Sequence, residues 1–198
     1  MNSGRPLANR VDPFGELHSV AARGAWLGNR GGRFHRDDKT LGARRWATRQ
    51  WIACLCEFKG RRREVWGGGY TELFFLDEPT ALAAGHRPCF ECRRADAIRF
   101  REALGEGRLC VAELDARLHA ERLDGRAKRV HRRPIESLSD GAFIAIDGRA
   151  YVLRGDALLP WSFDGYGPPL PRPASGDVDA LTPPTILRAL KAGYLTAP

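Results

Sequence analysis

Four of the five cysteines fall into two close pairs, Cys54-Leu-Cys56 and Cys89-Phe-Glu-Cys92, while the fifth, Cys110, stands alone. An odd number grouped this way does not suit a disulfide framework. It suits a metal. Zinc takes four tetrahedral ligands, and thiolates spaced Cys-x-Cys and Cys-x-x-Cys can wrap one ion with little strain. The spacing points to Cys54, Cys56, Cys89 and Cys92 as ligands of one structural Zn2+. Cysteines sharing one strand face can also divide, one ligating and one packing, and His86 is then an alternative fourth ligand. Cys110, between Leu109 and Val111, reads as a small buried hydrophobe.

A second group of reactive residues lies between 118 and 131: His119, Glu121, Lys128 and His131. Imidazoles exchange protons near neutral pH, a carboxylate such as Glu121 or Asp124 can orient one or hold Mg2+, and Lys128 with Arg122 can neutralise a scissile phosphate. Converged, they would make a phosphodiester hydrolase; left apart, they are a basic helix end with capping acids. A third chemistry is methyl transfer onto Cys54 or Cys56, since zinc holds a bound thiol deprotonated.

Charge adds a partner. The formal net charge is +8, and residues 1–66 carry 14 Lys/Arg against 6 Asp/Glu, whereas residues 67–198 carry 18 of each. A basic excess confined to one third of the chain favours a polyanion, and nucleic acid is the expected partner. Candidate phosphate contacts are Arg30, Arg33, Arg44, Arg45, Lys59, Arg61, Arg62 and Arg63, with Trp46 and Trp66 as stacking platforms. Solvated surface charge explains many arginines equally well. No helix-turn-helix, RNA-recognition or homeodomain pattern is visible. No apolar stretch approaches the ~18 residues of a membrane span, and no signal-peptide core opens the chain, so the expectation is a cytoplasmic protein with no membrane partner.

These residues need elements to position them. Residues 50–58 alternate as a strand that places Ile52, Cys54, Cys56 and Phe58 on one face, followed by a return strand at 61–66 and an aromatic strand at 70–76. Asp77 caps a short helix that Gly85 stops, and the second cysteine pair forms a tight turn into a helix at 92–104. A helix at 111–123, a hairpin turning on Asp147-Gly148, a proline-rich connector at 165–175 and a helix opened by Thr182-Pro-Pro-Thr complete the chain. The class is α+β: a small zinc-stapled domain of strands, Cys-x-x-Cys knuckle and helix, then a helical segment, a β-hairpin and a C-terminal helix. The divisions are a poorly patterned segment at 1–25, a basic zinc domain at 26–108, and a helix–hairpin–helix portion at 109–198 packed on it.

Phe74-Phe75 followed by Ala81-Leu-Ala-Ala-Gly-His-Arg-Pro-Cys-Phe-Glu-Cys-Arg93 resembles the second half of the zinc domain of Ada-type DNA methylphosphotriester repair proteins. The resemblance covers residues 74–93 and implies that Cys89 and Cys92 are the downstream zinc ligands and that the partner is DNA rather than RNA. That family places a Cys-x-x-x-Cys pair upstream, one of which accepts a methyl group; this chain has Cys54-Leu-Cys56, Arg94 in place of a proline and His86 in place of an aromatic. The whole chain also resembles a group of bacterial proteins of similar length, which implies no activity.

Overall fold

The computed structural model describes residues 5–61, 64–107 and 109–195. Arg62 and Arg63, two of the expected phosphate contacts, lie outside these residues.

The first half is a six-stranded sheet. Its strands are β1 (Arg10–Val11), β2 (Leu17–His18), β3 (Trp26–Arg30), β4 (Trp51–Cys54), β5 (Leu73–Phe75) and β6 (Arg87–Pro88), in the order β2-β1-β5-β3-β4-β6. β3 is central and pairs antiparallel with both β4 and β5, whereas β6 adds to β4 in parallel. Gly28 makes the middle of β3 possible: a Cβ there would sit 2.6 Å from the Phe75 ring and 2.5 Å from the Ile52 carbonyl oxygen. Residues 5–25 are not the patternless segment their composition suggests. β1 lies parallel to β5, and Val11 is buried in the same cluster as Leu73 and Phe75. Two-residue strands are too short for an alternating pattern to register in sequence.

Four helices follow: α1 (Glu78–Ala83), α2 (Arg94–Glu102), α3 (Val111–Arg122) and α4 (Pro184–Lys191). Asp77 caps α1, its carboxylate accepting from the Thr80 N–H at 2.9 Å, and Gly85 closes the turn after it at φ +85°. The cap of α3 is unexpected. Cys110 is exposed rather than buried; its Sγ accepts from the Glu113 N–H at 3.4 Å while the Glu113 carboxylate accepts from the Cys110 N–H at 3.0 Å. A thiol thus fills the serine position of a capping box.

The second half is an antiparallel sheet of β9 (His131–Pro134), β10 (Phe143–Ile146), β11 (Arg149–Arg154), β12 (Ala157–Ser162), β13 (Gly165–Tyr166), β14 (Leu170–Pro171) and β15 (Asp177–Ala180). Between the sheets a small hairpin pairs β7 (Leu123–Asp124) with β8 (Ala127–Lys128). β10 and β11 turn on Asp147-Gly148, both at positive φ, as the sequence leads one to expect. The connector at 165–175 is not merely extended, since β13 and β14 both pair with β12. One core binds the halves: Leu82, Phe100 and Leu118 pack with Ile144, Leu153 and Ile186. Mixed α and β with strands dominant is the observed class.

Candidate metal centre

Cys54 ends β4, and Cys89 and Cys92 sit on the turn between β6 and α2. The parallel pairing of β4 with β6 brings them together: Ala53 lies opposite Pro88, and the Cys89 N–H donates to the Ala53 carbonyl at 3.0 Å. The three sulfurs all lie within 4.8 Å of one another. Zn–S bonds of ~2.3 Å place tetrahedral thiolates roughly 3.8 Å apart, so the spacing is close to that of a metal site.

The surroundings favour thiolates. The Glu91 N–H donates to the Cys89 sulfur at 3.3 Å, and the Leu55 N–H donates to the Cys92 sulfur at 3.4 Å. As thiols the three share protons. The Cys54 thiol donates to Cys89 and Cys92, which together with burial drives its pKa up. Accepting from Cys54, and helped by backbone N–H groups, holds Cys89 down to about 5, and Cys92 is lowered for the same leading cause. Two sulfurs with lowered pKa values beside a third make a donor set that suits a soft divalent cation.

Cys56 is not part of this group. The strand ends at Cys54, so the alternation that would aim both side chains the same way stops one residue too early. Cys56 is exposed, and its thiol donates to the Ala25 carbonyl at 3.3 Å. Nor is His86 near enough. It is fully buried against Trp51 and Phe75, and its Nε2 accepts from Arg30 at 3.4 Å. Burial first, then the charges of Arg30, Arg122 and Lys128, keep its pKa well below the ordinary imidazole value. Among the described residues the close set is therefore three thiols. They open onto a cleft of about 200 Å3 that Cys56, Asn29 and Glu72 also line.

Arg93 fastens the knuckle to the rest of the molecule. It is buried, donates to Glu78 at 2.8 and 2.9 Å and to Asp96 at 2.9 Å, and lies 4.0 Å from the Trp26 ring. The Tyr194 hydroxyl joins the same network, donating to Glu78 at 2.6 Å. Arg87, two residues before Cys89, grips Asp115 of α3 through two hydrogen bonds of 2.7 and 2.8 Å.

The residues expected to hydrolyse phosphodiesters do not converge. Glu121 accepts from the Thr185 N–H at 2.8 Å and its hydroxyl at 2.7 Å, which caps α4. His131 Nε2 lies 2.7 Å from the Glu121 carbonyl oxygen, and the Lys128 ammonium donates to the Ala83 carbonyl. His119 packs edge-on against Trp46 and Trp51 instead. Residues 119 and 121 are separated by roughly 200° around a helix, so one faces Trp46 and Trp51 and the other faces α4.

The expected phosphate contacts divide as well. Arg30 is buried, only 2% exposed. Arg33 pairs with Asp37, and Arg61 pairs with Glu91 at 2.6 Å on the rim of the cysteine cleft. Lys59 is exposed beside Phe58. Arg44 is exposed and Arg45 half-buried on the loop at 42–50, where Arg49, not singled out by sequence, is also exposed. That loop touches the β7–β8 hairpin, because Arg126 donates to the Ala43 carbonyl and Arg122 to the Arg49 carbonyl.

Comparison of the chain with protein-family models, with curated proteins and with solved structures finds no match. No helix among the described residues is long and apolar enough to cross a membrane.

Proposed function

We propose that this chain is a zinc-thiolate protein that binds nucleic acid. The observation that carries the metal half is the trio of sulfurs, Cys54, Cys89 and Cys92, within 4.8 Å of one another, two of which, Cys89 and Cys92, receive backbone N–H hydrogen bonds. Zinc, when bound, would hold the three sulfurs as thiolates and tie β4 to the knuckle. The nucleic-acid half is supported by the charge excess in residues 1–66, by exposed Arg44 and Arg49 beside half-buried Arg45 and Trp46, and by the resemblance to Ada-type zinc domains at residues 74–93. Phosphate contacts of this kind give affinity without sequence choice.

The test is metal analysis of the purified chain together with fluorescence anisotropy on short duplex and single-stranded DNA at two salt concentrations. One equivalent of zinc, lost in Cys89→Ser, and a binding constant that falls with salt at a log–log slope of about −3 are expected for three or four phosphate contacts. A chain that takes up no zinc, or no DNA at low salt, would remove the corresponding half.

The cleft favours a second reading. All three cysteines border the cleft, and Cys92, the one that is half-buried rather than buried, can meet a substrate there. In that case the sulfur forms a bond to a methyl carbon of a phosphotriester, the O–CH3 bond breaks, and a phosphodiester leaves. Mass spectrometry after incubation with methylated DNA decides it: a gain of one methyl on Cys54, Cys89 or Cys92 is expected, and unmodified peptides would exclude it.

A further inference from the structure

On the opposite side of β4 from the cleft's chemistry, cations are gathered where they should repel one another. Arg30, Arg122 and Lys128 line one small pocket, with Arg45 and Arg126 also on its wall. Arg30 and Arg122 are 2% and 1% exposed. The Lys128 stem reaches the surface, yet its ammonium is enclosed, with the Ala83 carbonyl as acceptor. Among the described residues none of the three forms an ion pair, although Glu16 lies on the same wall, and the charges of Glu16 and Asp12 on Arg30 and of Asp115 and Glu121 on Arg122 offset part of the cost. Their partners are uncharged: the Gly15 and Arg45 carbonyls at 2.7 and 3.3 Å and His86 Nε2 at 3.4 Å for Arg30, and the Gly85, Arg49 and Asp115 carbonyls at 2.5, 2.7 and 3.4 Å for Arg122. Both guanidinium groups also lie over the Trp51 ring, at 3.9 and 4.4 Å. Arg122 Nε is buried with no hydrogen-bond partner among the described residues.

Carbonyl and π contacts position cations but do not neutralise them. Burying a charge without a counter-ion is strongly unfavourable, and three together add mutual repulsion. The strain is visible in the ionisation. Burial, then Arg122 and Arg30, pushes Lys128 down to about 7, and burial pushes Arg30 down to about 9. An anion would relieve all three at once. The pocket's volume of about 20 Å3 is roughly one or two water positions. A space of that size excludes a base or a sugar and admits only the leading oxygens of a small oxyanion. Two guanidinium forks and an ammonium are the groups that match phosphoryl oxygens best.

We propose that this pocket is a phosphoryl-binding site in which Arg30, Arg122 and Lys128 receive a phosphate monoester or free phosphate. The ligand is a terminal phosphate with its ester arm, if any, leaving past Arg45 and Arg126. The site is separate from the nucleic-acid proposal: free phosphate tests it directly, whatever the chain does with DNA.

The experiment is thermal denaturation and isothermal titration of the full chain with inorganic phosphate and with sulfate, against chloride at equal ionic strength. Millimolar phosphate or sulfate is expected to raise the melting temperature where chloride does not. Lys128→Met is expected to weaken phosphate binding at least tenfold, and Arg30→Lys to weaken it similarly, while Lys191→Gln, an exposed charge on α4, leaves it unchanged. Unaltered zinc content and far-UV circular dichroism establish that the variants are folded. Competition with 5′-phosphorylated and 5′-hydroxyl oligonucleotides then identifies the source. Preference for the phosphorylated end assigns a nucleic-acid terminus, and equal competition assigns a small phosphate compound. Stabilisation no greater than chloride gives, or folded Lys128→Met binding phosphate as the parent does, would overturn the proposal.

Discussion

The three-sulfur group and the three-cation pocket lie on either side of the same short strand, β4, and solve opposite electrostatic problems. At the sulfurs, backbone N–H groups point at atoms that become negative, and the proposed ligand is a cation. At the pocket, backbone carbonyls point at groups that are positive, and the proposed ligand is an anion. In both, the main chain supplies dipoles that orient charge without cancelling it. The first is built mostly from one local turn, the second from five separate segments, at 14–16, 30, 45–51, 84 and 122–128. That difference decides how each responds to perturbation and how far each could be foreseen.

Metal removal should separate the two most sharply. Chelation, or Cys89→Ser, is expected to lower the melting temperature by about 10 °C or more, since structural zinc supplies on the order of 10–16 kcal/mol in small peptides and only part of that needs to survive here. Unchanged melting under exhaustive chelation would end the metal proposal. The link between the two sites comes next. Asp115→Asn leaves the Arg87 guanidinium buried with half its partner lost, and a destabilisation of about 3–5 kcal/mol is expected in urea titration. A value below ~1 kcal/mol would mean that the knuckle and α3 are coupled by packing alone.

A pH series sharpens the cationic side. Lys128 sits at about 7 in the folded chain against an ordinary 10.5. Between those values the unfolded chain holds a proton that the folded chain lacks, so this lysine makes stability rise with pH across that window and contributes no slope below it. The groups facing it are Arg122 and Arg30, which lower its pKa, and Asp12, which raises it, with Glu16, Arg45 and Arg126 on the same wall. The expected result is a melting temperature that climbs from pH 7 to 9.5 more steeply in the parent than in Lys128→Met; parallel curves would show that the ammonium is solvated. The smallest effects belong to the remaining cysteines. Cys110→Ala should cost about 0.5–1 kcal/mol through the lost cap of α3, with metal content intact. Cys56→Ser should leave both stability and zinc stoichiometry unchanged, and loss of zinc in it would restore Cys56 as a ligand.

What could be seen in the sequence follows the same division. The Cys-x-x-Cys turn, the Asp77 cap and the Asp147-Gly148 hairpin are each fixed by a few adjacent residues, and each stands where the letters place it. Cys56 was misplaced because alternation holds only while a strand continues, and no residue announces that β4 stops at Cys54. Arg30 reads as a surface contact in the sequence because a buried arginine and a solvated one look alike in one dimension; its burial comes from Gly15, Trp51 and His86, up to 56 residues away. Lys128 was grouped with His119, Glu121 and His131 by proximity in the chain, whereas the fold pairs it with Arg30 and Arg122. Cys110 was assigned by its apolar neighbours, which say nothing about a capping thiol.

Tyr194 has a consequence for the order in which the molecule is made. Its hydroxyl bonds to Glu78 and lies 3.3 Å from Arg93, residues 116 and 101 positions earlier in the chain. At synthesis rates of about 5–20 residues per second, roughly 5–20 s separate the emergence of the knuckle from that of its latch. During that interval the cysteines have their local turn but not the clamp behind it. An incoming metal ion therefore meets a preformed loop rather than a locked cage, and closing the latch afterwards is expected to slow the ion's escape.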